Sequence, residues 1–197
     1  MRTLLRKNST PLPFVSLTAQ RLQGSKAVVP LILDDRSSGT LSATNGASWR
    51  AIADTVMGGE STGQLIPAVM EGRHCLRLTG EISLKNNGGF VQASLDLSES
   101  GLLDASDFAG IEIEVFGNGD IYNLHLRSDD TRIVWQSYRA SFQAQPRWQT
   151  LRLPFDSFQP HRIDKLLDKR KLRRIGVVAI GREMLVDVCV ARLSLYS

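Results

Sequence analysis

The chain has 197 residues, 42% of them hydrophobic, so it can bury a full core, and its length favours a single domain. Its formal net charge of +4 is small, and no apolar run reaches the roughly eighteen residues that a membrane-spanning helix needs. The two cysteines, Cys75 and Cys189, stand in apolar segments without a CxxC or Cys/His cluster. They indicate small buried hydrophobes and fit a reducing compartment better than a disulfide scaffold.

The N-terminal residues carry most of the excess positive charge. The cations that precede the first acid, Asp34, are Arg2, Arg6, Lys7, Arg21 and Lys26. We expect residues 1–30 to be a flexible basic tail and residues 31–197 to form the folded domain. An acid-free segment with arginines and serines is also typical of an organelle transit peptide, although Pro11 and Pro13 would interrupt an amphipathic helix. The expected location is therefore the cytoplasm for a bacterial protein, or mitochondria or plastids if 1–30 is a transit segment.

Apolar runs separated by Gly, Asn and Asp predict many short strands in the rest of the chain. The predicted strands cover 28–33, 65–70, 75–84, 90–97, 111–116, 122–128, 133–142, 148–153, 175–180 and 185–195. Helical periodicity is weak and confined to 163–172. This pattern indicates an all-β protein, a β-sandwich of jelly-roll type.

An unusual stretch follows the first predicted strand, because residues 49–63 combine an aromatic, an acid, a Met-Gly-Gly and a Ser-Thr-Gly. A second Gly-Gly pair lies in 86–90. Paired glycines let another chain or a ligand approach the backbone closely, which suggests shaped binding loops. The alternative is that both pairs only turn the chain between strands. The candidate binding residues in the two loops are Trp49, Asp54, Thr55, Met57, Gly58, Gly59, Ser61, Asn87, Gly88 and Gly89.

Alternation within the strands separates core positions from a second set. In 111–115 the isoleucines and the valine are expected in the core, with Glu112 and Glu114 outside. The outward positions of 90–97, 122–128 and 148–153 are mixed aromatic and polar: Phe90, Gln92, Ser94, His125, Arg127, Trp148 and Arg152. If these strands are neighbours, the set forms one recognition face, since aromatics supply contact area and arginines directed hydrogen bonds. The alternative is an ordinary solvated face.

Two further features leave their alternatives open. The alternation in 133–142 is ambiguous, so Tyr138 is a candidate binding residue without an assigned face. The basic run 165–174 has only Asp168 as a nearby acid, and clustered cations of this kind attract polyanions such as RNA. The alternative for the basic run is a solvated turn.

No constellation of residues points to catalysis. His74 and Cys75 are adjacent, so on a strand they face opposite ways, and His125 and His161 lack metal-ligand spacing. The motifs GxSxG, GxxxxGK and GxGxxG do not occur. We therefore predict a protein that is not an enzyme and has no cofactor or bound metal. A structural calcium would require oxygens from turn aspartates such as Asp34, Asp35 and Asp54.

Several motifs in a fixed order resemble the CIA30 family, named for the complex I intermediate-associated protein 30. The resemblance covers about residues 31–197. Its motifs are Trp49 with DTVMGG and Ser61, 80–84, NNGGF at 86–90, FAGI at 108–111, 117–122 with Leu126 and Arg127, 138–142, Trp148, and LPF at 153–155 with Phe158. Of these, DTVMGG together with NNGGF is the most specific pair.

The resemblance implies a galactose-binding-like jelly roll, similar to carbohydrate-binding modules, and a non-catalytic role. Eukaryotic members of the family help to assemble the membrane arm of NADH:ubiquinone oxidoreductase. We therefore expect an assembly factor or chaperone-like module whose partner is a complex I-type subunit or assembly intermediate. A glycan is the first alternative, with Trp148 or Phe90 stacking on a sugar while Gln92, Arg127 and Asp54 bond its hydroxyls. RNA or another anion on 165–174 is ranked last.

Overall fold

The computed structural model of the chain describes residues 29–99 and 101–197, which form two antiparallel sheets packed face to face. Almost all of the predicted tail, 1–30, lies outside the described residues, so the tail stays a prediction. The strands are β1 Leu31–Asp34, β2 Arg50–Ala53, β3 Thr62–Met70, β4 Arg73–Ile82, β5 Phe90–Asp96, β6 Gly110–Gly117, β7 Ile121–Ser128, β8 Ser137–Gln143, β9 Gln149–Pro154, β10 Gln159–His161, β11 Leu172–Ile180 and β12 Met184–Tyr196.

Each sheet has six strands, and the chain passes repeatedly between the two. Sheet 1 has the order β3-β4-β12-β6-β9, with β1 also paired to β12. Sheet 2 has the order β10-β8-β7-β11-β5-β2. This crossing from sheet to sheet is jelly-roll connectivity, and it confirms the predicted all-β sandwich.

The core lies between the sheets and follows the predicted alternation. Ile111, Ile113 and Val115 of β6 are fully buried, while Glu112 and Glu114 point outward. In sheet 2 the buried sets are Val91, Ala93 and Leu95 of β5 and Tyr122, Leu124 and Leu126 of β7. The side chains that remain on the far side of sheet 2 therefore form one continuous surface, which we call the outer face of sheet 2.

The two cysteines are free and buried, as predicted, but they lie outside the main core. With Ala191 they form a small cluster beneath Met70, Phe116 and Trp148. This cluster covers the side of sheet 1 that faces away from sheet 2.

The structure corrects the predicted elements at three places. The weak helix at 163–172 is instead irregular chain with one 3-10 turn, Lys169–Lys171, capped by the Asp168 side chain. The strand predicted from residue 133 begins at Ser137, because the Gln136 side chain binds the amides of Arg132 and Ile133 and folds 129–136 into a turn. The short strands β2 and β10 were not predicted.

In the part of the chain that the structure describes, no helix has the length and apolar character needed to cross a membrane.

Candidate functional site

Trp49 is an internal anchor, only 2% exposed. Its indole Nε1 donates to Asp34 Oδ2 at 2.7 Å, and the same carboxylate forms a buried ion pair with Arg36. A buried charge is stabilised by a partner and hydrogen bonds of this kind. Trp49 therefore ties the first strand to the loop that follows β1, and its ring is not available to a partner.

Asp54 is fully buried and holds the two glycine loops together. It begins the 3-10 turn Asp54–Met57. Its Oδ1 accepts the amide of Ser61 at 2.9 Å, and its Oδ2 accepts the Ser61 hydroxyl at 2.5 Å and the amides of Gly89 and Phe90. We call this arrangement the Asp54 clamp. Burial would raise the pKa of Asp54, but the donors from Ser61, Gly89 and Phe90 outweigh it and hold the pKa below its ordinary value.

The glycines of both motifs leave room for this carboxylate. A Cβ on Gly59 would come within 2.3 Å of Asp54 Cγ, and one on Gly88 within 2.4 Å of Asp54 Oδ2. Gly58 ends the 3-10 turn in the left-handed conformation, at φ 87°. The two Gly-Gly pairs therefore belong to one structural unit, and their spacing reflects the packing of Asp54.

The 3-10 turn that begins at Asp54 is exposed at residues 55–58, which we call the tip of the Asp54 clamp. Thr55, Met57 and Gly58 are exposed, and Val56 beside them is 72% exposed. Asn87 lies in the neighbouring 3-10 turn Lys85–Asn87. Four of the candidate loop residues, Trp49, Asp54, Ser61 and Gly89, are buried and support the loops. A binding role remains a proposal for the exposed residues Thr55, Met57 and Gly58.

The outer face of sheet 2 brings together five of the predicted residues. Phe90, Gln92 and Ser94 lie on β5, and His125 and Arg127 lie on β7, with β11 between the two strands. Arg139 of β8 pairs directly with His125 and adds a guanidinium that sequence analysis missed. Tyr138, Ala140 and Phe142 of β8 point into the core, so alternation would have placed Arg139 on the outer face if the start of β8 had been known.

Three candidates lie elsewhere. Trp148 and Arg152 belong to sheet 1, so the single face expected from alternation is divided between the two sheets. Trp148 packs edge to face on Phe116 and donates its Nε1 to the carbonyl of Met70 at 3.0 Å. Tyr138 points into the core, where its hydroxyl donates to the carbonyl of Leu166.

The centre of the outer face contains polar atoms without partners in the described residues. These are Ser94 Oγ and His125 Nε2, both buried. They flank Gly176 of β11, and the Gln92 carboxamide lies over that glycine, because a Cβ there would come within 2.3 Å of Gln92 Nε2. Buried polar groups normally have hydrogen-bond partners, so the surface around Gly176, with Gln92, Ser94 and His125, is a candidate ligand contact.

Burial and neighbouring charge set the protonation of this face. Burial, then Arg139 and His161, lower the pKa of His125 to about 3, so the imidazole is neutral near pH 7. Burial also lowers the pKa of Arg127 and of Arg139. Arg127 donates to carbonyls of Thr131 and Ile133, and Arg139 to Ser137 Oγ, so neither has a carboxylate partner among the described residues.

Most cations of the basic run 165–174 are paired with carboxylates of the same chain. Lys165 pairs with Asp130 and Arg173 with Asp129, both at 2.7 Å, and Arg174 pairs with Asp96 at 2.6 Å. Arg170 and Lys171 share Asp168, while Lys169 donates to the carbonyls of Ser106 and Phe108. The expectation that Asp168 is the one acid nearby is therefore wrong, and these pairs reduce the positive charge that the run offers to a polyanion.

The aspartates considered for calcium are committed to other bonds. Asp34 and Asp54 bind protein donors as described above, and Asp35 accepts the amide of Ser37 and the hydroxyl of Thr44. Across 29–99 and 101–197, no three His, Cys, Asp or Glu side chains are grouped to hold a metal ion.

Fold and site together define a jelly-roll β-sandwich with a polar, cationic sheet face and an exposed loop tip. The chain belongs to the family of the complex I intermediate-associated protein 30 (CIA30), whose model matches residues 40–185. No curated protein matches the chain.

Solved structures of carbohydrate-binding modules share the fold. The family 11 module of the cellulosomal cellulase Lic26A-Cel5E of Clostridium thermocellum is 14% identical at a TM-score of 0.69, over 87% of this chain and 96% of that chain. The family 11 module from Clostridium thermocellum in complex with a β-1,3-1,4-mixed-linked tetrasaccharide is 16% identical, with a TM-score of 0.64, and the match covers 87% of this chain and 97% of that chain. The family 30 module of a cellulosomal cellulase from the same organism is 14% identical, with a TM-score of 0.58, and the match covers 86% of this chain and 98% of that chain.

Proposed function

We propose that this protein is a non-catalytic binding module that holds a protein partner during the assembly of a multi-subunit complex of the respiratory complex I type. Membership of the CIA30 family supports the class of partner. The observation that carries the proposal is an exposed apolar turn at one end of the outer face, residues 129–136, which we call the Trp135 turn. Val134 is 67% exposed and Trp135 50% exposed.

The Trp135 turn is held in place by its own hydrogen bonds. Gln136 Oε1 accepts the amides of Arg132 and Ile133, and its Nε2 donates to the carbonyl of Arg162. Arg127 donates to the carbonyls of Thr131 and Ile133 from below. An ordered turn that presents an aromatic beside an arginine resembles the hot spots of protein interfaces, because little conformational freedom is lost on binding.

A second apolar site lies at the opposite end of the same face. Phe90 pairs with Ile180 at the end of β5 that joins the Asp54 clamp, whereas Arg174 and Arg127 mark the end near the Trp135 turn. Val56 and Met57 are exposed at the clamp. At about 3.3 Å per strand residue, the face spans roughly 20 Å between its two apolar ends, a length suited to one partner segment.

The test is site-specific photo-crosslinking in native lysate. A photo-reactive residue replaces Val134 or Met57, and Leu185 of sheet 1, which is 69% exposed, gives a matched apolar control. We expect the first two positions to crosslink the same subunit or assembly intermediate of a multi-subunit complex and the control position not to. Crosslinks to no defined protein, or the same products from all three positions, would contradict the proposal.

Glycan recognition is the second candidate, and one observation favours it. Ser94 Oγ and His125 Nε2 lack partners beside Gln92, and hydroxyl groups of a sugar could satisfy them. Phe90 is the half-buried aromatic nearby. Trp148 does not serve this role, since Phe116 packs against its ring and the Arg73 guanidinium lies over it at 5.6 Å. Titration with the mixed-linked tetrasaccharide tests this candidate, and perturbation of the Gln92 and His125 resonances would support it.

A further inference from the structure

Cations without counter-charges gather at one end of the outer face of sheet 2. Arg127 of β7, Arg139 of β8 and His161 of β10 lie on neighbouring strands, with Arg162 next along the chain. We call these residues together with His125 the cation cluster after its three arginines, since burial lowers the pKa of His125 and of His161 and leaves both imidazoles neutral near pH 7. Within the described residues, no carboxylate forms an ion pair with any of the three arginines, whereas every cation of the basic run nearby except Lys169 has a carboxylate partner.

The strand register brings the members of the cation cluster into reach of one group. His125 and Arg139 face each other across β7 and β8, where paired side chains are about 5 Å apart at Cβ. Arg139 Nε donates to Ser137 Oγ, which directs its guanidinium along β8 toward Ser137, the residue next to the Leu126–Tyr138 pair at the end of β7 that contains Arg127. His125 is 9% exposed, and its Nε2 has no partner in the described residues. One small acceptor group could therefore contact all three side chains.

The charge of the chain restricts what can bind there. Residues 1–33 contain five cations and no acid, so the protein's own N-terminal segment has no carboxylate to offer. The exposed Val134 and Trp135 lie beside the cluster, so a matching ligand combines acidic with apolar groups. A polynucleotide fits less well, because the cations of 165–174 that could extend a phosphate track are, except for Lys169, already paired with carboxylates.

We propose that the cation cluster binds a carboxylate-bearing peptide segment of the protein partner, with the guanidiniums of Arg127 and Arg139 donating to the carboxylate and His125 donating its Nε2–H. An ionised acceptor strengthens such hydrogen bonds, and a planar guanidinium matches a carboxylate in two-bond geometry. Apolar residues of the same segment pack against the Trp135 turn. This inference rests on the proposed function, because it names the chemistry by which the partner is recognised.

The test uses the full chain and a fluorescein-labelled synthetic peptide of alternating glutamate and leucine pairs, beside a peptide with glutamine in place of glutamate. The variants are Arg127→Gln and Arg139→Gln. Arg152→Gln, which removes the same charge from sheet 1, is the matched control. Because Arg127 also supports the Trp135 turn, thermal unfolding checks each variant, and Arg139→Gln tests the cluster without touching that turn.

We expect the glutamate peptide to bind wild type and Arg152→Gln alike and each cluster variant about tenfold or more weakly, as for loss of a hydrogen bond to a charged group. The glutamine peptide should bind weakly to all, and binding should shift the ring resonances of His125. Equal binding by Arg139→Gln, or preferential binding of inorganic phosphate, a short RNA or the mixed-linked tetrasaccharide, would overturn the inference. So would self-association of the chain through this face in sedimentation.

Failure of this inference is distinguishable from failure of the proposed function. A protein crosslinked from Val134 by both wild type and Arg139→Gln would keep the protein partner and remove the acidic contact. If the peptide binds in a way that depends on the cation cluster but no protein is crosslinked, the acidic contact would be kept and the protein partner would be removed.

Discussion

A single carboxylate explains why the two most specific motifs of the chain occur together. Asp54 accepts hydrogen bonds from Ser61 in its own loop and from Gly89 and Phe90 in the other. Gly59 and Gly88 lie against it because a side chain at either position would overlap the carboxylate. The motifs looked like binding loops from sequence because close approach to a ligand and close approach to a buried side chain require the same glycines.

Replacement of Asp54 by alanine should destabilise the fold. Three amides would lose their acceptor, while the Ser61 hydroxyl keeps the carbonyl of Ser83 as an acceptor. An unsatisfied buried donor costs about 1–3 kcal/mol, so we expect a loss of about 3 kcal/mol or more. Urea denaturation measures this, with Asp107→Ala as the control because Asp107 is exposed. A loss no larger than that of the control would show that the Asp54 clamp is dispensable.

His125 should make stability depend on pH. Its pKa is about 3 in the folded protein, because of burial first and then Arg139 and His161, against about 6.5 when unfolded. The unfolded chain therefore binds a proton that the folded chain does not, and the free energy of unfolding should fall as pH drops below about 6.5, by about 1.6 kcal/mol between pH 6.5 and 5. His125→Gln should lose less than wild type over this interval. Parallel curves would contradict the neutral, buried imidazole.

At the scale of elements, alternation predicted which side of a strand is buried but not which sheet the strand joins. The core sets of β5, β6 and β7 agree with the structure, yet Trp148 and Arg152 were grouped with Phe90, although Arg152 lies on β9 of sheet 1 and Trp148, just before β9, packs on the same sheet. Sheet assignment depends on long-range pairing, which a period of two does not encode. The short β2 and β10 escape prediction because so few residues carry little pattern.

The Gln136 side chain determines where β8 begins. Ile133, Val134 and Trp135 continue the apolar pattern of the strand, but Gln136 captures the amides of Arg132 and Ile133 and makes a turn. Side-chain bonds to the backbone compete with sheet pairing in this way. The exposed turn, and with it Arg139, was therefore hidden in the sequence.

Gln136→Ala should loosen the Trp135 turn while the sheets stay intact. The amides of Arg132 and Ile133 lose their acceptor, so their hydrogen exchange should accelerate, and stability should fall by about 1 kcal/mol. Hydrogen exchange read by NMR measures both amides. Gln149→Ala, which removes a bond to the carbonyl of Gln143 elsewhere, should leave them unchanged. Unchanged exchange in Gln136→Ala would mean that other contacts hold the turn.

At the scale of the whole molecule, the sandwich is a scaffold whose core can be tested apart from its surface. Leu153 of β9 is buried between the sheets, and its truncation to alanine should cost about 2–5 kcal/mol through lost packing and a cavity. Leu166, which is 86% exposed, gives the matched control in the same urea titration. A small loss for Leu153→Ala would remove that residue from the core.

The two sheets also divide the surface into unlike halves. On sheet 1, Arg77 pairs with Asp187, Arg152 with Glu112 and Arg73 with Glu114. On sheet 2, Arg127 and Arg139 lack such partners in the described residues and lie beside the exposed Trp135 turn. Buried polar atoms without partners occur on both sheets, at Ser94 and His125 on sheet 2 and at Arg192 and Ser194 on sheet 1, so the outer face of sheet 2 is distinguished by its two arginines together with the exposed turn.

We expect the partner to bind the outer face of sheet 2. Hydrogen–deuterium exchange of the free protein and of its complex with the crosslink-identified partner tests this most directly. We predict protection of β7, β8 and the Trp135 turn on binding, with sheet 1 unchanged. Protection confined to β3, β4 and β12 would place the interface on the opposite sheet and contradict the claim.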